Sequence, residues 1–134
     1  MHSPLQLKDH KILRIHFDTR QIDDQSSELV FNHAMEVFHP ENQDHTWLVR
    51  LDVQFKATSE STVAPYLGEI AVVGTFTLDH DFPEEKSKDM VYMNGGAILY
   101  GVVREILCNI TSRGIHGPIM LPTLDARSFI PVSD

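Results

Sequence analysis

Ile98-Leu99-Tyr100-Gly101-Val102-Val103-Arg104-Glu105-Ile106-Leu107-Cys108-Asn109-Ile110 reads as a helix whose apolar residues nearly encircle it. One face, formed by Leu99, Val103, Ile106 and Ile110, is predicted to pack on a sheet. A second stripe, Ala97, Gly101 and Cys108, places small residues at roughly helical spacing on the opposite side, where another backbone could come close. A helix covered on both sides implies an oligomer. Directly after it, Ile119-Met120-Leu121-Pro122-Thr123-Leu124-Asp125-Ala126-Arg127-Ser128-Phe129 reads as an exposed apolar loop, a surface suited to holding other chains.

Upstream the periodicity is that of strands. In residues 46–58, Trp47, Val49, Leu51, Val53 and Phe55 alternate with Leu48, Arg50, Asp52, Gln54 and Lys56, which predicts a sheet with one covered and one wet face. Leu29, Phe31, Met35 and Val37 repeat the pattern more weakly up to the turn Pro40-Glu41-Asn42-Gln43-Asp44, so the two segments form a hairpin. Leu5, Leu7, Leu13, Ile15 and Phe17 share one parity and give a first strand that loosens around Asp9 and Lys11. Tyr66 to Leu78 is a fourth strand, with Ile70, Val72, Phe76 and Leu78 on its buried side.

After Pro83 the pattern turns helical, with Ser87 as the expected N-cap, Gly95-Gly96 dividing a loose first part from a firm second, and Gly114 as the C′ stop. Gly117, Pro118, Pro122 and Pro131 argue against a second long helix. The expected fold is α+β: a four-stranded antiparallel sheet followed by one long helix and a crossover loop, in a single domain spanning residues 1–134.

A net charge of −8 with scattered basic residues argues against a nucleic-acid partner. Acid gathers at Asp23-Asp24, at Asp79 with Asp81 and at Glu84-Glu85, as expected of solvated loops. The single cysteine, Cys108, can form no internal disulfide, and Met1-His2-Ser3-Pro4 opens no charged and then apolar leader. No apolar run approaches the length of a membrane span, so the expectation is a soluble cytoplasmic protein without membrane insertion.

Chemistry-bearing patterns are sparse. His33, His39 and His45 match no usual zinc spacing, and His116, between Gly114 and Gly117, has no serine or cysteine nucleophile beside it. Asn109-Ile110-Thr111 fits a glycosylation sequon by chance, inside a helix. No metal, no cofactor and no enzymatic activity are expected.

Three stretches carry a family resemblance. Leu99-Tyr100-Gly101-Val102-Val103-Arg104-Glu105, then Ser112-Arg113-Gly114, then a Leu-Pro loop ending in Leu124-Asp125-Ala126, resemble the helix and crossover loop of the bacterial protein-export chaperone SecB. Tyr66-Leu67-Gly68-Glu69-Ile70 through Gly74-Thr75-Phe76 is similar to that family's fourth strand, and Ile15-His16-Phe17-Asp18 to the end of its first.

The resemblance implies a homotetrameric holdase, a dimer of dimers that keeps unfolded polypeptides from collapsing without using nucleotide. It places Ala97, Gly101 and Cys108 at a helix contact between subunits, and Tyr66, Ile119, Leu121 and Leu124 along a groove for extended clients. Docking to the motor ATPase SecA, for translocation of preproteins, would fall to Asp18, Leu67 and Glu69, against which Arg14 is a charge reversal. The family's second helix is expected to be missing or vestigial in residues 129–134. Two alternatives stay open: a SecB-like chaperone dedicated to one client such as an antitoxin, and a small-molecule-binding domain resembling a hot-dog fold, which would need a closed pocket with converging polar groups.

Overall fold

The period-two segments form one antiparallel sheet in the computed structural model, which describes residues 2–20, 29–43, 45–57 and 64–131. Strands β1 (Leu5–Thr19), β2 (Leu29–Phe38), β3 (Thr46–Ala57) and β4 (Tyr66–Leu78) lie in the order β1-β4-β3-β2. β2 and β3 make the expected hairpin, in register from Leu29 opposite Ala57 to Phe38 opposite Leu48. Asn42 in its turn takes a φ of 65°, a conformation that asparagine tolerates. The alternation in β3 holds throughout: Trp47, Val49, Leu51, Val53 and Phe55 are all buried against the helix. Asp23-Asp24, Asp44 and Thr58 lie outside the described residues.

β1 departs from its expected parity. It runs unbroken beside β4, but the register shifts between Leu7 and Asp9 and again between Ile12 and Arg14. Each shift inserts one residue and moves the following side chains to the other face. Ile12, not Leu13, therefore stands opposite the buried Val72, and Leu13 occupies the second irregularity. After two shifts the parity is restored, so Ile15 and Phe17 return to the face of Leu5 and Leu7. That face is not covered along its length: Ile12 and Ile15 are 51% and 42% exposed, and Leu13 in the irregularity is 50% exposed.

The helix begins earlier than expected and does not break. α1 (Glu84–Met90) follows Pro83, runs through a π-helical turn at Val91–Gly95, and continues as α2 (Gly96–Thr111). Ser87 is inside α1 rather than at its cap, and its hydroxyl donates to the Pro83 carbonyl at 3.1 Å. Glu84 and Glu85 sit in the first turn, where the helix dipole favours acid. Gly95-Gly96 is the junction between the π turn and α2, with helical φ and ψ at both residues. The glycines are there for space: a Cβ on Gly96 would meet the Phe129 ring at 2.7 Å and the Met35 sulfur at 3.0 Å.

α2 buries Gly96, Leu99, Tyr100, Val103, Leu107 and Thr111. The centre of its sheet face is thus Leu107 rather than Ile110, and Ile106 lies half-buried at the edge of the core. The cause is rotation of the helix toward the loop that follows, which claims Tyr100 and Thr111 as well. Gly114 is not the C′ stop expected of it: α2 ends at Thr111 with Ser112 as its C-cap, Gly114 has no left-handed φ, and its lack of a side chain serves instead to admit the Tyr66 ring, which a Cβ there would strike.

Candidate client groove and docking face

Beyond α2 the chain has little regular structure, and three buried polar side chains fix its path. The Thr111 hydroxyl donates to the Leu107 carbonyl at 2.8 Å and accepts the Ile119 N–H at 2.9 Å. Tyr66, fully buried at the start of β4, donates to the Gly117 carbonyl at 2.8 Å and accepts the His116 N–H at 3.0 Å. Tyr100 donates to the Pro122 carbonyl at 2.6 Å, and burial pushes its phenol pKa up. Apart from the Thr111 bond back to Leu107 inside α2, each of these bonds satisfies a backbone group of the loop. His116 adds an exposed tether, its ring nitrogen donating to the Arg20 carbonyl at the end of β1.

The path ends in a short 3₁₀ turn, Ala126–Phe129, the one remnant of helix after α2 among the described residues. Asp125 caps it by accepting the Arg127 N–H at 2.9 Å and pairing with its guanidinium at 2.6 Å. The Arg127 side chain first, and its N–H second, lower the Asp125 pKa to about 2. This cap is therefore in place above the ordinary carboxylate range and lost progressively as the pH falls through about 2. Phe129 then enters the core between Tyr100 and the His33 ring, with centroids at 5.8 and 5.3 Å.

The expectation of a wholly exposed apolar loop is corrected here. Leu121 is 1% exposed and belongs to the core, and Tyr66 is equally hidden, because the tethers draw both inward. Ile119 and Leu124 are half-buried against the core, while Ile115 and Met120 point to solvent. The loop covers the flank of α2 nearest β2. On the other flank, more than half a turn of helical phase from the loop-facing Tyr100, lie the half-buried Val102 and Ile106, on the side of the sheet where Ile12 and Ile15 remain bare. These partly bare side chains outline a candidate apolar groove between α2 and the edge strand β1.

Asp18, Leu67 and Glu69 come together on the opposite, outer face of the sheet. Asp18 is directly across from Leu67, and His16 from Glu69. Each acid has a partner already: Arg14 reaches Glu69 at 2.6 Å, and the His16 ring lies 3.0 Å from Asp18. The hydrogen bond from Arg14 holds the Glu69 carboxyl below the usual range. Arg50 pairs with Asp52 on the same face, at 2.9 Å.

On the outward side of α2, Ala97 and Gly101 are exposed, Cys108 is half-buried, and a Cβ on Gly101 would meet nothing within 4 Å. The histidines find mundane partners: His39 stacks on Trp47, and His45 meets His80 edge-on, around a cleft of about 500 Å³ at the end of the sheet. No three metal-ligating side chains converge among the described residues, and no helix is long and apolar enough to cross a membrane. Sequence reasoning missed the anchoring roles of Tyr100, Thr111 and Phe129. The signal for Thr111 was a polar residue continuing the sheet-facing phase of the helix at its last turn.

Comparison with known proteins places this arrangement. The family model described as preprotein translocase subunit SecB matches residues 15–129. SecB of Ehrlichia ruminantium is 30% identical over 95 residues, covering 66% of this chain and 54% of that protein. SecB of Ehrlichia chaffeensis is 29% identical over 111 residues, covering 78% and 58%. The chain spans little more than half the length of these curated relatives. Among solved structures, a SecB-like chaperone of Mycobacterium tuberculosis, in complex with a peptide of the antitoxin HigA1, superposes with a TM-score of 0.68 at 18% identity, over 90% of this chain and 91% of that one. A protein of unknown function from Streptococcus agalactiae gives 0.53 at 13% identity, over 89% and 97%. With the family match running from the end of β1 through the 3₁₀ turn, this chain belongs to the SecB family.

Proposed function

We propose that this chain is a non-enzymatic cytoplasmic chaperone that holds unfolded polypeptides, without nucleotide, in the groove between α2 and β1. The observation that carries the reading is the bare stretch Ile12, Leu13 and Ile15 on an edge strand. An extended client can add backbone hydrogen bonds at such an edge and bury apolar side chains at about 25 cal/mol per Å². Ile119 and Leu124 line the loop side of the client surface, while Tyr66 and Leu121 hold that loop in shape. The test is light scattering of a slowly refolding, aggregation-prone client without ATP. Ile12→Ser with Ile15→Ser should leave the fold intact and reduce suppression of aggregation several-fold. Full suppression by the folded double variant would remove the groove from the reading.

The exposed Ala97 and Gly101 and half-buried Cys108 support a reading in which the chain assembles into a dimer of dimers. A Cβ at Gly101 would meet nothing within 4 Å in its own subunit, so Gly101→Leu should raise helix stability by up to about 1 kcal/mol. Across a close helix contact it overpacks by about 1 to 3 kcal/mol per site. Sedimentation should therefore show tetramer shifting to dimer while thermal stability of the subunit is kept; an unchanged tetramer would place the contact elsewhere.

Delivery of preproteins to SecA would use Asp18, Leu67 and Glu69. Because Arg14 and His16 already occupy the two carboxylates, binding to a basic partner is expected to be weak and salt-sensitive. Calorimetry should find it strengthened by Arg14→Asp and weakened by Glu69→Lys. These occupied acids favour a second reading, a chaperone dedicated to one client, which the antitoxin peptide bound to the Mycobacterium tuberculosis neighbour also supports. Absence of SecA binding in every variant would select it.

A further inference from the structure

Met120 stands apart from the other methionines of the described chain. It is 57% exposed, whereas Met35, Met90 and Met93 are half-buried. Its neighbours on either side are anchored: the Ile119 N–H is held by Thr111, Leu121 is in the core, and the Pro122 carbonyl is held by Tyr100. The Met120 side chain is thus presented to solvent from a fixed backbone. Against its sulfur lies the guanidinium of Arg104, whose Nη2 donates at 3.1 Å.

That contact is an ill-matched one. A thioether sulfur is a weak acceptor, and Arg104 has no ion pair with a described carboxylate. Transfer of one oxygen atom would change the match. In reaction with a hydroperoxide, the sulfur lone pair attacks the distal oxygen and the O–O bond breaks. The sulfur is oxidised by two electrons to the sulfoxide, and hydrogen peroxide leaves as water. The sulfoxide oxygen is a strong, polar acceptor directly beside an unpaired cation, so the bond to Arg104 becomes a charge-assisted one.

We propose that Met120 is a peroxide-modifiable site, and that Arg104 is placed to hold the sulfoxide oxygen and so clamp the crossover loop to α2. Oxidation then exchanges an apolar contact point on the loop for a polar one and stiffens the segment around it. Its consequence for clients rests on the function proposed above, but the modification and the clamp do not.

The experiment treats the full chain with dilute hydrogen peroxide and follows each methionine by peptide mass spectrometry. Met120 sulfoxide should form several-fold faster than sulfoxide at Met35, Met90 or Met93. Amide exchange around residues 118–124 should then slow in the oxidised protein, and this slowing should disappear in Arg104→Gln, with Met120→Leu unresponsive to peroxide. Oxidation of Met120 no faster than that of Met90, or slowing that persists in Arg104→Gln, would overturn the proposal. The client assay is a separate arm: weaker holding by the oxidised wild type, absent in Met120→Leu, extends the site to function, while intact holding with a confirmed clamp counts against the loop as client surface and leaves the modification site standing.

Discussion

Leu121→Ala should lower the free energy of unfolding by about 2 to 5 kcal/mol, read as a fall in urea midpoint with an unchanged slope. The side chain is fully buried in the cluster shared by the sheet and α2, although it comes from a loop with almost no regular structure. Its removal leaves a cavity that cannot close, because Thr111 pins the backbone two residues before it and Tyr100 one residue after. Met120→Ala, next door and largely exposed, should change stability by no more than about 0.5 kcal/mol. Equal small effects from the two would mean that the loop is not docked in solution.

Phe129→Ala is expected to cost about 3 to 5 kcal/mol. This residue closes the far end of the loop, filling the space left by Gly96 and touching His33 and Tyr100. Its loss should release the 3₁₀ turn and expose Met35, so that amide exchange accelerates along β2 as well as in the turn. A destabilisation confined to the turn, below about 1 kcal/mol, would show that the core ends at Leu121.

The sheet was legible because its signal is strictly local. In β3 every second residue from Trp47 to Phe55 is apolar without interruption, so parity alone names the buried face; in β4 the same parity is interrupted by Gly68 and Gly74, and Leu67, Ala71 and Val73 make its other face partly apolar as well. β1 defeated that reasoning because inserted residues at Lys8 and Leu13 are invisible to a parity count, and only the pairing with β4 reveals them. The helix was legible in existence and in its outward stripe, but its rotation depended on Tyr100 and Thr111 reaching a loop up to 22 residues away in sequence. For the same reason an apolar loop read as surface proved to be partly core. Composition cannot tell a leucine offered to a partner from one retained by its own chain. Asp18, Leu67 and Glu69 were gathered on one face as the strand register required, whereas their pairing to His16 and Arg14 needed coordinates.

The strand order also sets a schedule for synthesis. β1 precedes β2 and β3 in the chain but, among the described strands, pairs with β4, so it must wait until β2, β3 and β4 have left the ribosome before it finds its neighbour. Through that interval Leu5, Leu7, Ile12, Leu13, Ile15 and Phe17 are all uncovered on one short stretch. Long-range pairing of this kind is slow and prone to aggregation. The nascent chain therefore has the chemical character of the clients proposed for the finished protein.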